Sequence, residues 1–283
     1  MRRWLSKSPA RSGFTIVAGL ATVTALAPAA TAQQVELRLK GSPGDTSAYS
    51  VALTQSVLLP DQYGGETTVN TTMTIQSRVS EVKADTMYLA FTVTEPEVEL
   101  LREGGGQTPD LSIVDGKEFT QVITTSGDVV DFVAPKDLGE SGASIASSLS
   151  QFGSLPLPAG AVSVGDSWVD TVRSDAVPLG LPVAGAMVTV NKITLAGLSK
   201  EGGSTIASLQ VEGIVTFEPA GEPGAAMELE MVSDVVTNIR FDVTRGVLLG
   251  TSSASDFEAT VSGAVVPEPI SIYGTAETTV SRL

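Results

Sequence analysis

Histidine and cysteine are both absent from the 283 residues. Without histidine the chain lacks the one side chain that ordinarily titrates between about pH 5 and 8, the usual general base and zinc or copper ligand. Without cysteine there is no thiolate nucleophile, no iron–sulfur ligation and no disulfide. Aromatic residues make up only 5%, and 17 Lys+Arg stand against 32 Asp+Glu. These absences exclude most enzyme classes. The chain reads as a non-enzyme with no cofactor and no metal site.

The amino terminus reads as an export signal. Arg2, Arg3, Lys7 and Arg11 form a basic region, Phe14 to Ala27 is a short apolar stretch, and Ala30-Thr31-Ala32 is a small-residue cleavage site. Thr15, Thr22 and Thr24 interrupt the apolar stretch and Pro28 ends it, short of the ~20 residues that cross a bilayer. Residues 1–32 are therefore expected to be a signal peptide cleaved near Ala32, leaving a periplasmic or extracellular chain with no stable transmembrane anchor. Arg2-Arg3-Trp4-Leu5 is only a partial twin-arginine pattern, and ordinary secretion is the simpler reading. Gln33, not cysteine, follows the cleavage site, so no lipid anchor is expected.

Cleavage removes four basic and no acidic residues, leaving 251 residues with 13 Lys+Arg against 32 Asp+Glu, a net charge of −19. The remaining cations are scattered from Arg38 to Arg282, which argues against nucleic acid and anionic lipid surfaces as partners. The denser acidic stretch Glu95 to Glu103 lacks the D-x-[DN]-x-[DN]-G spacing of a calcium loop and reads as solvated.

Apolar residues recur at every second position, the period of half-buried antiparallel strands. Val35, Leu37 and Leu39 alternate with polar and charged residues. So do Val69, Thr71, Met73 and Ile75, then Met87, Leu89, Phe91 and Val93. Val188 and Val190, Leu209 and Val211, and Met227, Leu229 and Met231 continue the pattern, each set reading as one apolar face. Gly142 to Phe152 is the one helical segment, with Ile145, Leu149 and Phe152 on one face. Glu97 to Glu103 suggests a further helical turn before Gly104-Gly105-Gly106. Gly104 to Pro109 and Pro219 to Gly224 read as loops.

An internal repeat is legible. Gly44-Asp45-Thr46 and Gly165-Asp166-Ser167 each open a strand region, and each is followed by two hairpins in the same order. In the first half these turn at Lys83-Ala84-Asp85 and Ser126-Gly127-Asp128, in the second at Lys200-Glu201-Gly202-Gly203 and Arg245-Gly246. The expectation is a single mainly β domain over 33–283, an antiparallel curved sheet or half-barrel of two similar halves, 33–154 and 155–283, with one short helix near 142–152. Chance likeness among hairpins is the competing account of the repeat.

Between Leu157 and Trp168 the chain reads L-P-A-G-A-V-S-V-G-D-S-W, followed by Asp170 and Thr171. This segment resembles one found in uncharacterised secreted or lipid-anchored bacterial proteins with a DUF6263-type domain. The resemblance implies an envelope protein of open role, with the curved half-barrel sheet of LolA-like lipoprotein carriers; it transfers no functional residue. The residues themselves place a turn at Pro158 and Gly160 and a tight corner at Gly165-Asp166, with Trp168 pointing inward as a core plug.

Several motifs fail on their missing partners. Gly165-Asp166-Ser167 imitates an esterase block, but no histidine exists to serve as its base. Ser80-Glu81-Val82-Lys83 matches S-x-x-K without the accompanying K-T-G or S-D-N. Val266-Pro267-Glu268-Pro269 lacks the apolar span and basic tail of a sorting signal and reads as a loop before the last strand. Paired carboxylates of the glycosidase kind usually come with aromatic sugar platforms, which are scarce here. An outer-membrane barrel would show aromatic girdles, also missing.

Two readings remain. In the first, a soluble exported envelope protein binds an apolar small molecule or lipid, lined by Met73, Ile75, Leu89, Phe91, Leu229 and Met231, since methionine adapts to irregular ligands. In the second it is a structural or protein-interaction module without a small-molecule site, its protein partner unknown.

Overall fold

Strand-forming Val, Ile, Thr and aromatic residues alternate over long runs between turn residues, and they build one sheet. The structure is a computed structural model, and it describes residues 33–102, 110–138, 146, 149–174, 183–220, 227–266 and 268–283. Among the described residues eleven strands form: β1 (Thr46–Leu58), β2 (Glu66–Lys83), β3 (Thr86–Arg102), β4 (Glu118–Thr124), β5 (Val129–Val133), β6 (Ser167–Ser174), β7 (Gly185–Glu201), β8 (Ser204–Pro219), β9 (Glu228–Asp242), β10 (Val247–Ser262) and β11 (Ile270–Arg282). Their order across the sheet is β5-β4-β3-β2-β1-β11-β10-β9-β8-β7-β6, antiparallel throughout. The expected mainly β fold, a curved and unclosed antiparallel sheet, is what forms.

The order has a simple logic. β1–β5 and β6–β11 are two meanders in which each strand pairs with its neighbour in sequence, and β1 joins β11 to fuse them. The register at this join runs from Tyr49 opposite Arg282 to Leu58 opposite Tyr273.

The corners that open the two meanders match bond for bond. Ser42 N–H donates to Asp45 Oδ2 at 2.7 Å, as Ser163 N–H does to Asp166 Oδ2 at 2.8 Å. Gly44 donates to the Val79 carbonyl and Gly165 to that of Leu195, both at 2.8 Å. Just beyond each of these partners the register slips, between Val79 and Glu81 on β2 and between Leu195 and Gly197 on β7. The pattern read from sequence thus extends to the hydrogen bonds.

One face of the sheet carries the buried rows, and the other is exposed, polar over much of its area but with uncovered Val and Ile on β6–β9. Three clusters lie on the inner face. Ile193, Leu195, Leu209, Ile239 and Phe241 of β7–β9 are covered by Val35, Leu37, Leu155, Leu157 and Val162. Ile75, Phe91, Val93 and Phe119 of β2–β4 are covered by Val114, Leu138, Ala146 and Leu149. Phe217, Leu229, Phe257, Ala259 and Ile272 pack around Val183 in the third.

Two segments outside the sheet brace it. Before β6, Leu155 and Leu157 donate to the carbonyls of Gly127 and Ser126 in the β4–β5 turn at 3.1 and 3.0 Å, and Trp168 Nε1 donates to the Pro156 carbonyl at 2.8 Å. Before β1, Leu39 donates to Thr125 at 2.8 Å and Lys40 to Gly246, in the β9–β10 turn, at 2.9 Å. Val35 and Val162 bridge the two segments, and Arg38 binds the Pro158 and Ala159 carbonyls. Asp128 of the β4–β5 turn lies near enough to Asp170 of β6 for the two carboxylates to interact electrostatically.

Several sequence readings change. Glu97–Arg102 continues β3 instead of forming a helical turn, because Val98 and Leu100 hold the two-residue period opposite Thr71 and Val69. Val188 and Val190 lie on the outer face. The apolar parity of β7 switches after Asn191, and Ile193 and Leu195, opposite Val211 and Leu209, decide which side is buried. Of the helical segment, Ala146 and Leu149 have helical backbone and Ser150 N–H donates to the Ala146 carbonyl at 2.9 Å; residues 142–145 and 147–148 lie outside the described residues. Most of the loops read at 104–109 and 219–224 also fall outside them. Trp168 does turn inward, against the first cluster.

The braces demand glycine where they cross the turns. Gly127 and Gly246 have φ of +93° and +67°, and a Cβ would strike the Leu155 carbonyl at the first and Lys40 at the second. Gly127→Ala and Gly246→Ala should each destabilise the protein by about 1–3 kcal/mol. Gly160→Ala, in open space, should change stability little. Chemical denaturation of the three variants provides the comparison.

Candidate functional site

The inner face is not filled everywhere. An apolar cavity of about 100 Å3 lies between the start of β1, β2–β4 and the start of β10, walled chiefly by Tyr49, Met87, Leu89, Phe91, Ile123 and Leu248. Five aromatic rings concentrate beside it in a chain that has few. Phe91 stacks on Phe119 with centroids 5.2 Å apart, Phe132 and Phe152 lie 6.2 and 6.1 Å from Phe91, and Tyr49 meets Phe152 edge-on at 5.8 Å. Gln121 is buried between Phe119 and Ile123 on the same strand face, and its Nε2 donates to the Ser150 and Phe152 carbonyls at 3.0 and 3.1 Å. That pair of bonds pins the turn carrying Phe152 over the cavity.

The cavity adjoins two wider hollows. At one end it shares Lys40, Ser47, Ser77, Val79 and Val247 with an open polar basin of about 490 Å3. At the other, Phe152, Gly153 and Leu248 separate it from a cleft of about 270 Å3 bordered by Val211, Ile239 and Val280. The result is a chain of hollows along the inner face, apolar in its narrow middle and hydroxyl-rich at the basin.

Basic residues gather at the basin despite the acidity of the chain. Lys40, Arg245 and Arg282 border it, with Asp45 as the acidic member. Lys40 Nζ donates to the Val243 and Thr244 carbonyls at 3.1 and 3.2 Å. Arg245 is spent on Asp242, its backbone N–H reaching Oδ1 at 2.9 Å and its Nε reaching Oδ2 at 2.7 Å. Burial works to raise the Asp242 carboxyl, but the hydrogen bonds from Arg245 and Ser204 outweigh it and hold the group below the ordinary carboxylate range. Burial pushes the Tyr49 phenol up, opposed by the Arg282 guanidinium and a hydrogen bond with Ser47, so at neutral pH it keeps its proton. Arg282 is half-buried, and its Nη1 is shut off from solvent with no hydrogen-bond partner.

The six residues expected to line a ligand site divide. Ile75 and Phe91 are buried in the second cluster, with Met73 packed against it. Leu89 and Phe91 wall the cavity. Leu229 and Met231 belong to the third cluster, which surrounds Phe257. Sequence reasoning missed Tyr49, Gln121 and Arg282. The signal for two of them was parity: Gln121 interrupts the apolar row Phe119, Ile123, and Arg282 falls in step with Ile270, Ile272 and Val280 on the inward side of β11.

Among the described residues no helix is long and apolar enough to cross a membrane. No protein-family model matches the chain, and no curated protein does. Among solved structures the chain is similar to one described as "lipid-protein interactions in lipovitellin", with a TM-score of 0.48 and 12% identity, over 86% of this chain and 25% of that one. It thus spans a quarter of that chain's length.

The Asp242–Arg245 pair makes a pH prediction. A carboxyl whose folded pKa is depressed contributes stability above its unfolded pKa of about 3.9, and that contribution is lost as pH falls through the lower folded value. Asp242→Asn should cost about 1–3 kcal/mol at pH 7. Denaturation midpoints measured across pH 7 to 2 should fall more shallowly below about pH 4 in the variant than in the wild type.

Proposed function

We propose that the protein is an exported, non-catalytic binding module of the cell envelope that holds a small ligand with an apolar body inside its curved sheet. Export rests on the signal-like residues 1–32, and the periplasm or the extracellular space follows from cleavage near Ala32. The resemblance of residues 157–171 to DUF6263-type envelope proteins belongs to the same reading. The carrying observation is the apolar cavity that stays open between the packed clusters of the inner face and leads into a basin. Protein interiors ordinarily close to crystal-like density, so a void walled by Met87, Leu89, Phe91, Ile123 and Leu248 forfeits packing energy that an occupant would restore. Its size selects the occupant. Drug-sized ligands take roughly 300–1,000 Å3, whereas an engineered apolar cavity of about 150 Å3 accepts benzene. At about 100 Å3 the narrow part is smaller than that, so it suits a short branched chain, or a ring that extends toward the basin; a long acyl chain would need Phe152 to swing aside and join the cavity to the cleft beyond it.

A second reading, self-association, is favoured by Val169, Val190, Ile214, Val232 and Val236, which are exposed on the outer face of β6–β9 beside the open edge at β6. Sedimentation that is concentration-dependent for the wild type but not for Ile214→Glu would favour it.

Native mass spectrometry of the protein purified from its own host, before and after organic extraction, tests the first reading. Extra mass that leaves with the solvent, and is missing from a Leu89→Phe variant whose ring fills the cavity, is the expected result. A bare polypeptide mass from the wild type overturns it.

A further inference from the structure

The basin and the cavity are two parts of one hollow with opposite chemistry. They share five wall residues; the cavity side is Tyr49, Leu89, Phe91 and Leu248, while the basin side is Lys40, Ser42, Ser47, Ser77 and Arg282. A ligand seated in the cavity therefore presents its other end to two cations and several hydroxyls.

The charges there are not balanced by the protein. Arg245 is neutralised by Asp242, and Asp45, which accepts the Ser42 N–H at 2.7 Å, offsets one of the two remaining cations, so one positive charge is left over. Lys40 has placed two of its three N–H donors on carbonyls, which leaves its charge and one donor. Arg282 has Nη1 closed to solvent and unpartnered. A buried donor without a partner costs about 1–3 kcal/mol, more when it carries charge, and native proteins usually meet such a group with ordered water, an ion or a ligand.

We propose that the basin is the headgroup site for a carboxylate whose apolar body fills the cavity, the ligand class being an aryl or short-chain carboxylic acid. This rests on the cavity being a ligand site. Nε and Nη2 of Arg282, the donors left once Nη1 is closed to solvent, are a side-on pair of the kind a carboxylate accepts, Lys40 adds a point charge, and the Tyr49 hydroxyl and Ser47 stand at the boundary between head and body. The Asp45 carboxylate on the same basin repels a second negative charge, which favours a monoanion over a phosphate dianion.

Titration calorimetry of the host-purified protein with phenylacetate, its uncharged isostere phenylacetamide, and inorganic phosphate tests the assignment. Phenylacetate should bind about tenfold or more tightly than phenylacetamide, consistent with roughly 1.5–3 kcal/mol for hydrogen bonds to charged groups. Arg282→Gln should abolish that preference while still binding the amide, Arg282→Lys should keep part of it, and Leu89→Phe should lose both ligands. Equal affinity for acid and amide in the wild type, or a full preference surviving in Arg282→Gln, overturns the headgroup assignment and leaves the cavity reading standing. Phosphate binding as tightly as phenylacetate also overturns it. If neither acid nor amide binds the wild type and Leu89→Phe melts no differently from it, the cavity reading fails as well.

Discussion

The sheet depends on the pairing of its first strand with its last. Every other strand contact joins neighbours in sequence, whereas β1 and β11 must find each other across more than 200 residues. Ten residue pairs from Tyr49–Arg282 to Leu58–Tyr273 make the join. Without it two meanders would each expose a central strand edge and half an apolar face. The same pairing sets Arg282 opposite Tyr49, so the contact that unifies the fold also puts a cation at the mouth of the hollow.

An open sheet still has to cover its inner face, and here the cover is assembled from unrelated pieces. Segment 35–41 and segment 154–162 come from before the two meanders, and the turn around Ala146 and Leu149 comes from the connection between them. The first two are fixed by main-chain bonds to hairpin turns, at Gly246 and Gly127, and the third by the Gln121 amide of β4. Covers pinned from separate ends need not meet edge to edge. The cavity lies where Leu39, Phe152 and Leu248 approach one another across that seam. The outer face faces no such problem, since its ion pairs, such as Arg240–Glu201 at 2.7 Å, are exposed and contribute little.

The strands were legible because the two-residue period is a direct imprint of burial on one face. Met87 to Val93 on β3, Leu209 and Val211 on β8, and the turns at Gly127, Gly202 and Gly246 could be read from the residues alone. The matching corners at Gly44-Asp45 and Gly165-Asp166 were visible for the same reason, a short local pattern with local bonds. The failures came where both parities carry apolar residues. Val188 and Val190 looked like a core row, but only the facing strand decides which side is buried. The hollow was illegible for a related reason: Leu229 and Met231 share the sheet face of Met73 and Leu89, yet four strands stand between β9 and β3 in hydrogen-bonded order, a distance that no local pattern encodes. Arg282 was readable only as a parity violation, a charge in an apolar row.

The join between β1 and β11 also sets a timetable. Tyr49 and its partner Arg282 are separated by about 230 residues, so during synthesis β1 emerges first and waits, its edge open, until β11 has followed it. Each meander can organise on the way, but the two cannot be fused until β11 is present. Folding of the whole sheet is thus tied to the arrival of β11, and a molecule halted before it would be left with the unpaired strand edge that chaperones and proteases recognise.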